Sequence, residues 1–249
     1  MHTRLTLALL GTLACLTALS CASDASRTHD EETMHDPHGG QGGHGAHGTG
    51  IGKDVHGHHR FDDVEKWTAR FEDPERDAWQ RPDVVIAALG LTPSSKVADI
   101  GAATGYFPVR IAPHVKEGVV YGVDIEPAMV EALAARATRE GHTNLRAVLA
   151  TTDDARLPEP VDAVLIVNTV HHIEERVAYF ARLKQSLTGG ARLVIVDFKM
   201  GELPHGPPPH MRLAPDRVVE ELAQAGFALA ARDEASLPYQ YVLVFTPRA

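Results

Sequence analysis

The sequence predicts an α/β fold: a doubly wound, mostly parallel sheet of seven strands covered by helices on both faces. Three observations carry that prediction. From residue 61 onward, seven apolar runs of strand length alternate with amphipathic helical stretches, the pattern of right-handed crossovers. The runs are nearly continuous in Val, Ile, Leu and Ala, which suits strands buried on both faces. The first run ends in a glycine-containing turn that opens a helix, Val97-Ala-Asp99-Ile-Gly101-Ala-Ala-Thr-Gly105-Tyr-Phe.

In chain order, Phe61, Val64, Trp67 and Phe71 fall at helical spacing and predict a helix ahead of the sheet. A second helix is expected over 82–90, with Pro82 suited to a first turn and Gly90 to the end. The strands are expected at 97–100, 119–124, 145–149, 161–167, 192–197, 227–231 and 241–245. Helices are expected at 127–140, 174–187 and 215–225. In such sheets ligands bind beyond the carboxyl ends of the strands, so chemistry belongs there. The stretch Leu203-Pro-His-Gly-Pro207-Pro-Pro-His210-Met, rich in proline, is expected as a loop over the acceptor side.

The chain of 249 residues divides into three unlike pieces: 1–21, 22–60 and 61–249. Leu5 to Leu19 is an uncharged run behind Arg4, too short to span a bilayer comfortably and suited to a signal peptide. Ala18-Leu-Ser-Cys21 resembles the lipobox of bacterial lipoproteins, departing at Ala18, where that family prefers Leu. The resemblance implies export, with a lipid anchor at Cys21 and a periplasmic or membrane-anchored place in a bacterium. Residues 22–60 hold eight of the fifteen histidines and are expected to be a disordered tether. Their imidazoles are expected to bind transition metals weakly. The third piece is long enough to bury one sizeable core without staples and has no cysteine for a disulfide or thiolate metal site. Of the net charge of −9, −7 falls in it, a poor match for nucleic acid and a better one for a small acceptor.

At the first strand end, Gly101 and Gly105 let backbone approach a ligand closely. Ala103 and Tyr106 stand where a dinucleotide fingerprint needs its second and third glycines, which argues against a nicotinamide oxidoreductase. Asp124 ends the second strand, where a carboxylate reaches ribose hydroxyls; the competing reading makes it a helix N-cap. An adenosine-type ligand without a pyrophosphate follows.

These segments together resemble the class I S-adenosylmethionine-dependent methyltransferases of the ubiquinone/menaquinone-type branch, over roughly residues 80–249. Asp99, Gly101 and Gly105 match the family's D-x-G-x-G-x-G, with Ala103 for the middle glycine. Strand four ends in Val167-Asn168-Thr-Val-His171-His172, and strand five is introduced by Leu187-Thr-Gly-Gly190. The resemblance implies a Rossmann-like sheet with the last strand antiparallel, and S-adenosyl-L-methionine as cofactor. It implies that Gly101, Ala102 and Gly105 lie near the methionine moiety, that Asp124 meets the ribose and that Ile125 flanks the adenine; Asp99 and Tyr106 are further candidates for the cofactor pocket. Asp154, or else Asp153, meets the adenine amino group, and Asn168 joins the set. Methyl transfer to a small molecule is an in-line displacement that requires alignment and a free nucleophile. His171 and His172 are the candidates for removing an acceptor proton, against the competing reading of histidines that merely bond a carbonyl. The alternative function is a non-catalytic envelope module binding a nucleoside-like ligand, or metal through the histidine-rich tail.

Overall fold

The computed structural model describes residues 64–248. The expected signal peptide with Cys21, the expected histidine-rich tether and Phe61 lie outside the described residues. Among those described, no helix is long and apolar enough to cross a membrane.

Strands β1 (Lys96–Ile100), β2 (Val119–Asp124), β3 (Leu145–Leu149), β4 (Val161–Val167), β5 (Leu187–Phe198), β6 (Phe227–Asp233) and β7 (Gln240–Pro247) form one sheet in the order β3-β2-β1-β4-β5-β7-β6. Pairing is parallel from β3 to β5, and β7 runs antiparallel to both its neighbours. The order reverses direction between β1 and β4, which makes their carboxyl ends the topological switch point where open α/β sheets bind ligands.

Helices α1 (Val64–Phe71), α2 (Arg76–Gln80), α3 (Pro82–Leu89), α4 (Pro108–Ile111), α5 (Pro127–Glu140), α6 (Arg176–Leu183) and α7 (Pro215–Gln224) complete the fold. On one face α3, α4 and α5 bury Val85, Leu89, Ile111 and Leu133 against Val97, Val120 and Leu165. On the other, α6 and α7 bury Phe180, Leu183, Val218 and Leu222 against Ala98, Val164 and Leu193. Burial on both faces is why β4 carries a nearly unbroken apolar run.

Two boundaries differ from the sequence reading. The expected helix 174–187 ends at Leu183, passes through a 3₁₀ turn (Lys184–Ser186), and β5 begins at Leu187 rather than Arg192. The pairing with β4 jumps from Val161↔Leu187 to Ala163↔Arg192, so Gly189 and Gly190 sit in a bulge within the strand and hide its first half. Helix α2 was not expected at all, since its five residues carry no apolar period.

Candidate active site at the carboxyl edge of the sheet

The turn after β1 is pinned to the end of β2: the backbone N–H groups of Gly101 and Ala102 donate to the Val123 carbonyl at 2.9 and 3.0 Å. Gly101 has φ +79°, and a Cβ there would lie 2.2 Å from Thr169 Oγ1. Gly105 has φ +99°, and its Cβ would lie 2.5 Å from Leu133 Cδ1. Neither position admits a side chain. Ala103, at the middle glycine of the motif, is also left-handed at φ 47°, at a cost of roughly 1–2 kcal/mol for a non-glycine residue. Its N–H donates to Asp124 Oδ2 at 2.9 Å, which helps hold it in that conformation.

Asp124 Oδ1 accepts from the Glu126 N–H at 3.0 Å, closing an Asx turn. The N-cap position of α5 belongs to Glu126, which settles the competing cap reading of Asp124. Burial pushes the Asp124 carboxyl upward, against the backbone N–H groups of Glu126, Ala103 and Ile125 that favour its charged form. Oδ2 accepts from Ala103 and Oδ1 from Glu126, which leaves lone pairs on the carboxylate for a ligand. Ile125 beside it is 49% exposed, an apolar surface open to a flat ring. Beyond β3, Asp154 Oδ1 accepts from the Arg156 N–H at 2.8 Å, while Asp153 pairs with Arg182 at 2.6 Å on the surface. That hydrogen bond from Arg182 holds the Asp153 carboxyl below its ordinary value. Asp153 is therefore engaged by α6, whereas Asp154 stays at the strand end.

Past β4, Asn168 is left-handed at φ 56° and its Oδ1 accepts from Gln240 Nε2. Gln240 Oε1 accepts from Gln80 Nε2 at 2.6 Å, and Gln80 Oε1 accepts from Arg76 Nε and Nη2 at 3.4 and 3.3 Å. Both glutamines are 0% exposed. A guanidinium only donates, so this chain of amides has one direction and leaves Asn168 with its NH₂ free to donate. Nearby, His171 Nδ1 lies 2.8 Å from Asp197 Oδ2, with side chains 3% and 1% exposed. Asp197 Oδ1 also accepts from the Phe198 N–H at 2.7 Å, which fixes the carboxylate. The carboxylate sets the tautomer: Nδ1–H donates to Asp197 and Nε2 keeps its lone pair. The His172 ring centroid lies 4.2 Å from that of His171. Around them, Trp79 of α2 stacks on His205 at 5.1 Å and approaches Tyr239 at 6.3 Å and Phe198 at 6.0 Å. The proline-rich segment is the expected loop with one 3₁₀ turn (Pro209–Met211). Arg212 ties it down, with Nε donating to the Pro207 carbonyl at 2.7 Å.

A methyltransferase domain profile matches residues 98–193, which span β1, the glycine turn, Asp124 and the His171 region. A solved S-adenosylmethionine-dependent methyltransferase from Aquifex aeolicus superposes with a TM-score of 0.69 at 25% identity, covering 74% of this chain and 98% of that one. In sequence over residues 98–193 and in fold, the chain is similar to the class I S-adenosylmethionine-dependent methyltransferases. Aklanonic acid methyltransferase DauC from Streptomyces sp. (strain C5) is 29% identical over 133 residues, 52% of this chain and 60% of that protein. Ubiquinone/menaquinone biosynthesis C-methyltransferase UbiE from Geobacter sp. (strain M21) is 25% identical over 130 residues, 51% and 54% of the two chains. The chain thus spans little more than half the length of the curated relatives it matches.

The polar groups at the turn fit the cofactor on two independent features. Thr104 Oγ1, within the turn, is buried without a hydrogen-bond partner among the described residues. Asp99 is 3% exposed and accepts no hydrogen bond from the described residues. Burial raises its carboxyl to about 7, against the pull of Arg76 and with a push from Asp124. An unpaired buried carboxylate suits a cationic ligand group. Tyr106 is held by its neighbours: Arg76 lies 3.8 Å and Arg110 3.9 Å from its ring, and its hydroxyl donates to Asp77. A cleft of about 200 Å³ lined by Pro113, Lys116, His142 and Asn144 lies at the opposite, amino-terminal edge of the strands.

Sequence reasoning missed Arg76, Trp79, Gln80 and Gln240. Arg76, Trp79 and Gln80 lie on the short α2, where a Trp and an Arg within a polar stretch are the only signal. Gln240 sits 160 residues from its partner, a separation no local pattern reveals.

Proposed function

We propose that this chain transfers a methyl group from S-adenosylmethionine to a small, largely planar organic acceptor, with His171 as the base that accepts the acceptor's proton. The observation that carries this reading is the buried His171–Asp197 pair at the switch point, beside the glycine turn. When bound, the cofactor supplies an electrophilic methyl on a sulfonium. The chain's own residues do the rest. Gly101, Gly105 and Asp124 orient the donor, and Ile125 and Asp154 receive its base. His171 Nε2 takes the proton from the acceptor's O–H or acidic C–H as the nucleophile attacks in line. Asp197 is a positioning residue: it fixes the imidazole tautomer and stabilises the imidazolium.

The acceptor class is supported from two sides. Trp79, Tyr239 and His205 line the acceptor side with flat rings that suit a planar partner. The similar DauC and UbiE are named for aklanonic acid and for ubiquinone/menaquinone biosynthesis, both small-molecule chemistry. The same proposal places the domain at the cell envelope, through Leu5 to Leu19 and Cys21. Labelling with a fatty acid that disappears in Cys21→Ser supports that placement; an unlabelled wild-type chain argues against the anchor.

The test is a transfer assay with methyl-labelled cofactor and a panel of planar phenols, enols and carboxylic acids. Wild type is expected to label at least one class and His171→Ala to lose the label while still binding S-adenosylhomocysteine. Equal labelling by wild type and His171→Ala overturns the role of His171.

A further inference from the structure

We propose that Arg76 is the counter-ion for the carboxylate of the cofactor's amino-acid moiety, making α2 one wall of the cofactor site. The inference rests on the cofactor assignment above.

Sheet order sets where the amino-acid end must lie. Asp154 follows β3, Asp124 ends β2 and Asp99 lies in β1, and these three strands are adjacent in that order. Strands sit about 4.8 Å apart, so a ligand with its adenine near β3 and its ribose at β2 brings its amino-acid end over β1. Arg76 stands there: its guanidinium lies 3.8 Å from the ring centroid of Tyr106, the residue after Gly105, and attracts Asp99.

Its hydrogen bonds leave it incomplete. Nη1 donates to the Phe71 carbonyl at 2.8 Å, and Nε and Nη2 donate to Gln80 Oε1 at 3.4 and 3.3 Å. All three acceptors are neutral carbonyl oxygens. A guanidinium has five donors, so one N–H on each terminal nitrogen remains, the fork that a carboxylate matches. Among the described residues no carboxylate lies within 4.0 Å of it. The other arginines at the turn are paired: Arg110 with Asp77 at 3.1 Å, and Arg136 with Glu72 at 2.6 Å. A partly buried cation with no carboxylate in contact is costly, and burial pulls the Arg76 guanidinium below its ordinary value against the more distant attraction of Glu72 and Asp99. Asp99 is the opposite charge in the same condition. A zwitterionic α-amino acid completes both, its ammonium toward Asp99 and its carboxylate toward Arg76.

The test compares two ligands that share adenosine and sulfur and differ in the amino-acid head. The full chain is titrated calorimetrically with S-adenosylhomocysteine and with 5′-deoxy-5′-methylthioadenosine, as wild type, Arg76→Met and Arg76→Lys. Arg76→Met is expected to weaken S-adenosylhomocysteine about 30–100-fold and methylthioadenosine less than about 3-fold. Arg76→Lys keeps a cation over Tyr106 and is expected to recover about 5–10-fold of the lost affinity. A folded variant that weakens both ligands alike makes Arg76 a prop for Tyr106 and Gln80 and overturns the proposal, as does unchanged S-adenosylhomocysteine binding. Binding of neither ligand by wild type is a different result: it overturns the cofactor assignment itself.

Discussion

The cofactor half and the acceptor half of this site are built in different ways. From Asp99 to Ile125 the cofactor half is one strand, one turn, one helix start and the next strand. Its defining contacts run between backbone groups and a single carboxylate twenty-one residues away. The acceptor half is assembled from side chains scattered over the chain: Trp79 and Gln80 of α2, His171 after β4, Asp197 of β5, His205 of the proline-rich loop and Gln240 of β7. A site made of backbone geometry admits few residue types at each position. One made of side-chain contacts across the fold can change its contents without changing the sheet. On the proposed function the first half serves the donor and the second selects the acceptor.

Substitutions break that contrast with graded effects. The largest is expected from Gly101→Ala, whose new Cβ would meet Thr169 at 2.2 Å on a backbone at φ +79°. Urea unfolding should show a loss of about 2–4 kcal/mol, and calorimetry no measurable cofactor binding. His171→Ala should next lower turnover about 10²–10⁴-fold with cofactor affinity nearly unchanged, because it touches only the acceptor half. Asp197→Asn should lower turnover less and displace the pH–rate profile, since its change acts through the imidazole.

Asp99→Asn separates stability from function. The Asp99 carboxyl stands at about 7 in the folded chain against an ordinary 3.8, so the folded state holds a proton that the unfolded state releases. Stability is therefore lost as pH rises through that window. The variant's advantage should be absent near the lower value, grow toward pH 7 and level above it, at up to roughly 4 kcal/mol. Thermal unfolding across the window checks the sign, and cofactor affinity should fall in the same variant. The smallest effect belongs to Ala103→Gly. Relief of the left-handed alanine at φ 47° exceeds the added chain entropy by about 1 kcal/mol or less, a slight gain in melting temperature with the cofactor still bound.

How much of this was legible in the sequence follows the same division. The seven strands and the glycine turn follow from runs and spacings local to each segment, Asp124 from its place at a strand end, and the reversal of β7 only from the family resemblance. The pair Asp153 and Asp154 needed the structure, since only the fold brings Arg182 of α6 to one of them. The first half of β5 was hidden because its glycines sit in a bulge without apolar period. Helix α2 was hidden because it is short and polar, though it carries Arg76, Trp79 and Gln80. Tertiary contacts, not propensity, give these residues their roles.

The central claim is that the turn after β1 and Asp124 hold an adenosyl cofactor. Calorimetric titration of the full chain with S-adenosylhomocysteine, as wild type and as Asp124→Ala, tests it most directly. One-to-one binding by wild type, weakened about 100-fold or more in the variant through lost charged hydrogen bonds to the ribose, is the expected result. No binding by wild type, or equal binding by the two proteins, would contradict it.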